Sequence, residues 1–169
     1  LIGELNGGWK LITAQLTHER LGLGSWSDKV FGPFTKVLQW AKAKDEQGRR
    51  AVDLPWVRRS LAECYTRLES MRLYNFRIAA DLEAGAMDVG LASSTKVYGS
   101  ENMIEILNRL MDIVGSSALV RGNSAAAYLM GELEYELRAN TINTFGGGTN
   151  EIQRELIAQF GLGMPRPVR

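Results

Sequence analysis

The stretch Ile142-Asn143-Thr144-Phe145-Gly146-Gly147-Gly148-Thr149-Asn150-Glu151-Ile152-Gln153-Arg154 carries the densest chemical signal in this chain. Three glycines run into Thr-Asn, and a helical pattern continues to Gly161-Leu162-Gly163-Met164-Pro165-Arg166. A glycine turn that opens a helix presents backbone N–H groups without intrahelical partners at the positive end of the helix dipole. Such a turn suits a phosphate, ribityl oxygens or an enolate, although many glycine turns only reverse the chain. A second candidate is Leu16-Thr17-His18-Glu19-Arg20, where a carboxylate stands beside a guanidinium. Its plainest reading is a solvated pair on a helix surface. His18 is the single histidine and Cys64 the single cysteine, which excludes a multi-histidine metal site, a thiolate cluster and a disulfide framework. Consecutive helix residues do not share a face, so no Glu19–His18 dyad is expected.

The elements that must position these residues come from a chain of ordinary globular make-up. Its 169 residues suffice for one domain with a real core. Hydrophobic residues are 45% and charged residues 23% of the whole. A net charge of +1 gives no electrostatic case for nucleic acid or a membrane surface. No apolar run approaches the roughly 20 residues of a membrane span. One cysteine is in keeping with a reducing, cytoplasmic compartment. The chain begins at Leu1 rather than Met, and the expectation is a single helical domain over 1–169 without a signal peptide, the C-terminal fragment of a longer protein.

Helical periodicity runs nearly throughout. The first helix is expected from about Asn6 to Ala43, with Gly22 and Gly24 able to weaken or bend it. Lys44–Arg50 reads as a polar loop. Asp53 is the expected N-cap of the next helix, with Pro55 in its first turn. That helix carries Leu61, Cys64, Tyr65, Leu68, Met71, Ile78 and Leu82 on one stripe and stops near Gly85. A third runs from about Asp88 to Val114 through Leu91, Tyr98, Met103, Ile106, Leu107 and Leu110, and Gly115 ends it. A fourth is expected to start after Asn123 or Ser124, carrying Ala126, Leu129, Met130, Leu133 and Leu137. A short last helix spans about Thr149 to Phe160. No period-two strand pattern persists. Long helices with short connections predict an all-α, antiparallel up-down bundle closed by a short C-terminal helix. Trp26, Phe34, Tyr74 and Phe76 are large enough to wall a pocket, but nothing in the sequence places them in one.

Read as a whole, Thr144–Arg166 resembles the C-terminal signature of the acyl-CoA dehydrogenase family. The family pattern is a glycine-rich turn, Gly-Thr-Ser-Glu-Ile-Gln-Arg, and a helix ending near Leu-Gly-Leu-Pro-Arg. Here the residues are Gly148-Thr149-Asn150-Glu151-Ile152-Gln153-Arg154 and Gly161-Leu162-Gly163-Met164-Pro165-Arg166. The rest of the chain follows the helical C-terminal part of the family in order and length. The resemblance implies an FAD-dependent oxidoreductase that converts an acyl-CoA thioester to enoyl-CoA. An electron-transfer flavoprotein is the implied acceptor, and a homo- or hetero-oligomeric dimer or tetramer the implied assembly. Many relatives place a glutamate base just before Gly-Thr, where this chain has Gly147. In the isovaleryl and long-chain branches the base sits instead in a Leu-x-x-Glu-Arg pattern on the first helix, and Leu16–Arg20 matches it. The resemblance therefore implies Glu19 as the base and Gly147 as a backbone N–H donor to the thioester carbonyl. Arg20 is implied as a substrate-side residue, with a surface charge as the equal alternative. Gly148, Thr149 and Glu151 align with residues that contact FAD. Thr149 is also an N-cap candidate, and Glu151 complements the helix dipole.

Two segments depart from the family pattern. An Arg-x-x-Phe-Gly motif that binds the FAD pyrophosphate of the neighbouring subunit is replaced by Lys44-Asp45-Glu46-Gln47-Gly48. Lys44 takes the arginine's place without its bidentate fork, and Arg49 or Arg50 is a substitute. The Gln-x-x-Gly-Gly loop on the adenine side becomes Asp112-Ile113-Val114-Gly115-Ser116. Two functions stay open: an acyl-CoA dehydrogenase with Glu19 as base, or a catalytically silent subunit that completes a partner's FAD site.

Overall fold

The computed structural model describes residues 2–22, 26–86, 88–122 and 124–166, with the side chains of residues 17, 18, 20–22 and 26–28 outside that description. The helices are α1 (Gly8–Gly22), α2 (Trp26–Lys42), α3 (Pro55–Glu83), α4 (Val89–Val114), α5 (Glu132–Asn140) and α6 (Asn150–Leu156), joined by short 3-10 turns, and the described residues contain no strand. The expected first helix corresponds to α1 and α2, and residues 23–25 between them are not described.

The fold is built around α4, which packs against α1, α2, α3, α5 and α6. Its sequence explains that place. Ala92, Val97, Met103, Ile106, Leu107, Leu110, Met111 and Ile113 are all buried, more than one stripe's worth, as a helix covered on several sides requires. The Asp88 carboxylate caps it by accepting from the Gly90 N–H at 2.7 Å. Gly115, at φ 80°, ends it. Only residues 84–88 join α3 to α4, so the two run antiparallel. Val30, Phe34 and Val37 of α2, Val57, Leu61, Cys64, Leu68 and Met71 of α3, and Leu133 of α5 close the core around it. Each fully buried leucine contributes about 1.5–3 kcal/mol. Phe34 thus serves the core, packed on Phe31 and Tyr65. Phe76 is exposed, and Tyr74 stacks on Tyr98 with centroids 5.2 Å apart.

Three local expectations are corrected. Asp53 does not cap α3; it ends a 3-10 turn over Ala51–Asp53, and Leu54 holds the cap position ahead of Pro55. Its carboxylate is taken by a two-pronged bond from Arg50 at 3.0 and 2.7 Å, a charge-assisted fork stronger than one cap bond. Tyr65 and Leu82, read as stripe residues, stand 50% and 39% exposed, because they lie at the edge of the face that meets α4. The fourth helix begins at Glu132, not near Ser124. Leu129 and Met130 adopt left-handed backbone at φ 49° and 56°. The cause is a close return of the chain: a Cβ on Gly131 (φ 80°) would sit 2.4 Å from the Gly122 nitrogen. A helix continuing through 126–131 cannot make that approach, and Met130 is left 86% exposed. The helix starts where Glu132 meets the Lys36 ammonium at 2.7 Å.

The last helix arrives close to its expected span. α6 passes into a π-helical turn over Ile157–Gly161. There the C-terminal segment crosses α4 at glycine on both sides: a Cβ on Gly90 would lie 2.5 Å from the Gly161 Cα.

Candidate functional site

The Gly146–Gly148 turn is exposed and linked to α4 from below. It begins as the Phe145 and Gly146 N–H groups donate to the Ile142 carbonyl at 3.1 and 2.8 Å. Gly147 and Gly148 then take φ 70° and 103°, left-handed conformations that favour glycine. Among the described residues their N–H groups have no hydrogen-bond partner. A Cβ on Gly147 would meet nothing within 4 Å, whereas one on Gly148 would lie 2.7 Å from Gln153 Nε2. Gly148 is therefore held to glycine by its conformation, while a side chain there would also displace the end of Gln153; Gly147 leaves open space.

Thr149 is the N-cap of α6; its hydroxyl accepts from the Ile152 N–H at 3.3 Å. Glu151 is exposed in the first turn. Its own backbone N–H, then the Thr149 hydroxyl, hold its carboxyl below the usual glutamate range, and the charges of Arg154 and Lys96 act the same way. Both residues thus have structural work in the cap, which does not exclude contact with a ligand above it.

Beneath the turn lies a polar cluster that the sequence reading missed. Lys96 of α4 is 1% exposed. Its ammonium donates to the Thr144 carbonyl at 3.0 Å and to Asn150 Oδ1 at 2.6 Å. The Asn150 amide in turn donates to Ser100 Oγ at 3.0 Å and to Glu101 Oε1 at 3.1 Å. Glu101 also takes the Arg154 guanidinium at 2.7 Å. The signal was available: a lysine in register with Ala92, Ser100 and Met103 on the buried side of an amphipathic helix is out of pattern.

Glu19 lies on α1 and is exposed. No hydrogen bond or ion pair among the described residues joins it to the turn. Arg20 and His18 belong to the same helix, and their side chains fall outside the described residues. Lys44 lies at the opposite end of α2, lining a groove of about 560 Å³ with Trp40, Asp45, Arg49, Arg50 and Leu54. Arg49 is engaged with Asp45 at 3.0 Å and Arg50 with Asp53. The Arg49 backbone N–H is the main cause that keeps the Asp45 carboxyl below its ordinary value. Lys44 has no ion pair or hydrogen bond among the described residues, so it is the cation left available to an anion in this groove. The altered Asp112–Ser116 segment forms the end of α4 and its glycine cap, with Ile113 buried. Among the described residues no three His, Cys, Asp or Glu side chains are grouped to hold a metal ion, and no helix is long and apolar enough to cross a membrane.

Comparison with known proteins agrees with this fold. A family profile described as "Acyl-CoA dehydrogenase, C-terminal domain" matches residues 6–162. The chain is 42% identical over 99% of its length to acyl-CoA dehydrogenase FadE26 of Mycobacterium tuberculosis, covering 43% of that protein. Among solved structures it is similar to the Tcur3481–Tcur3483 steroid ACAD, with TM-score 0.89 and 42% identity, covering 98% of this chain and 42% of that one. It is also similar to the ChsE4–ChsE5 complex from Mycobacterium tuberculosis, with TM-score 0.88 and 42% identity over 98% of this chain and 43% of that one. The chain thus spans less than half the length of these relatives.

Proposed function

The chain belongs to the acyl-CoA dehydrogenase family, as its C-terminal helical domain, and from that premise we propose that it serves an FAD-dependent dehydrogenation of an acyl-CoA thioester to the enoyl-CoA. The observation that carries the reading is the Gly147–Gly148 turn, exposed and left-handed, with N–H groups that no described residue engages. In this role the Gly147 N–H donates to the thioester carbonyl and stabilises the negative charge that grows there as the α-proton leaves. Glu19 takes that proton; it is an exposed carboxylate on the helix where one branch of the family carries its base. Arg20, next to it in sequence, stands on the substrate side. FAD, when bound, would supply the hydride acceptor for the β-carbon. The donor set fits such a cofactor: the Gly148 backbone, Thr149 and Glu151 near the turn, and the unpaired Lys44 ammonium in its groove for a pyrophosphate. The likeness to a structure named as a steroid ACAD narrows the proposed substrate to a CoA thioester attached to a steroid. An electron-transfer flavoprotein is the proposed acceptor, and a cytoplasmic setting goes with it.

A second reading has its own observation. Arg49 and Arg50, the substitutes for the missing pyrophosphate arginine, are both held by aspartates, which weakens the FAD half-site offered to a neighbouring subunit. The two-chain names of the similar structures fit a hetero-oligomer in which this chain is the silent partner.

One experiment separates these readings. The whole protein is mixed without oxygen with a panel of straight, branched and steroid acyl-CoA thioesters, and flavin bleaching is followed in wild type and Glu19→Gln. Bleaching in wild type that falls by about 10³-fold in the variant, with FAD retained, assigns the base. Equal bleaching in both moves the base elsewhere. Bleaching that needs a second chain, and ignores Glu19, selects the silent subunit.

A further inference from the structure

The cluster under the glycine turn has a purpose that the proposed chemistry does not itself require of it. Lys96 is a full charge inside a helical core, and a buried charge is unfavourable unless its partners are good. Its partners reach into the glycine segment. They include the Thr144 carbonyl, two residues before the three glycines, and Asn150 Oδ1, two residues after them. One ammonium therefore ties together both flanks of a loop that is exposed and built of glycine, the least constrained residue. Ser100 and Glu101, one turn further along α4, fix Asn150 in the rotamer that faces Lys96, and Arg154 fixes Glu101.

We propose that Lys96 is the positioning residue of this site: its buried ammonium, by joining Thr144 to Asn150, sets the direction of the Gly147 N–H and lays a fixed positive charge beneath it. A hydrogen-bond donor for a developing oxyanion acts only if held in place before the reaction, because reorienting it during the reaction consumes the gain. Three successive glycines cannot hold themselves. The clamp supplies what the turn lacks, and its charge favours the anionic state of whatever carbonyl sits above. The field reaches the turn, since Lys96 is among the groups that lower the Glu151 carboxyl.

The role rests on the catalytic reading above, and the test keeps the two apart. In the whole protein, Lys96→Met keeps the length of the side chain and removes its charge and donors. Amide hydrogen exchange is read by segment, alongside anaerobic flavin reduction. The expected result is exchange at least about tenfold faster over residues 141–151 with α3 unchanged. Flavin reduction should slow by about 10²-fold, the scale of one lost oxyanion donor, while the thioester concentration giving half the maximal rate moves less than about threefold. Asn150→Ser cuts one of the two tethers, leaves Lys96 bonded to Thr144, and should give the same local pattern at smaller amplitude; it decides the matter if Lys96→Met does not fold. Exchange over 141–151 that is unchanged, or faster only in step with α3, overturns the positioning role. A wild type that bleaches with no thioester ends the catalytic reading and leaves the exchange comparison to judge the clamp.

Discussion

At Gly147 the structure leaves open space for a Cβ. A Cβ there meets nothing within 4 Å, and the cost of a side chain is confined to the left-handed backbone at φ 70°, about 1–2 kcal/mol. One residue on, the same change makes a further demand, since a Cβ on Gly148 would sit 2.7 Å from Gln153 Nε2 and the end of that side chain must shift. If Glu19 and position 147 serve one active site, as the two base placements in the family imply, then a carboxylate moved from one to the other should recover function. Gly147→Glu introduced into Glu19→Gln should raise the rate of flavin reduction about tenfold or more above the single variant, and leave the folded protein intact by thermal unfolding. No recovery in a variant that folds and holds FAD counts against shared geometry. Residue identity could be read to this depth because the turn and its flanks form a contiguous motif. The clamp below it was missed because Lys96 lies 48 residues from Thr144 and 54 from Asn150, and only the folded chain brings them together.

At the level of elements, periodicity is a reliable guide where a helix is long and one-sided, and it weakens where backbone approach decides. α3 and α4 fell close to their expected bounds because each stripe repeats over several turns and Asp88, Gly85 and Gly115 mark the ends. The start of α5 was misplaced because apolar residues at 126, 129 and 130 mimic a helix, while the constraint that forbids it is the contact of Gly131 with Gly122. Asp53 was misread because its competing partner, Arg50, offers two bonds where a cap offers one. The crossing of α4 with the C-terminal segment belongs to this class. Nothing in the helical pattern marks Gly90 as special, yet a Cβ there would stand 2.5 Å from the Gly161 Cα and 2.8 Å from its nitrogen. Both obstacles are backbone, so the segment must move. Gly90→Ala should destabilise the protein by about 1–3 kcal/mol, the range for overpacking, read as a lower urea midpoint. Hydrogen exchange should speed up over residues 157–164 ahead of α3. An unchanged midpoint would mean that the crossing opens at no cost.

The whole molecule leaves surface that the fold does not use. Tyr65, Leu73 and Phe76 stand 50%, 62% and 61% exposed on α3, eight and three residues apart and so on one side of the helix. Next to the glycine turn, Ile142 and Phe145 are each more than half exposed. Exposed apolar residues grouped in this way suit contact with further protein, and the chain spans 42–43% of its relatives' length. They do not say whether the other protein is the same chain or a different one. The flavin count does. If the Lys44 groove still holds the pyrophosphate of a neighbour's cofactor, the purified assembly carries one FAD for each copy of this chain, and Lys44→Ala lowers that ratio while the subunits stay together. If the engaged Arg49 and Arg50 mean that the half-site is lost, the assembly carries two kinds of chain and one FAD for each pair, and Lys44→Ala changes nothing. Native mass spectrometry reads both the subunit composition and the bound flavin. The first outcome supports an active chain with Glu19 as base, because one flavin for each copy gives each copy a use for a base. The second assigns the chemistry to the partner and leaves this chain without the pyrophosphate contact.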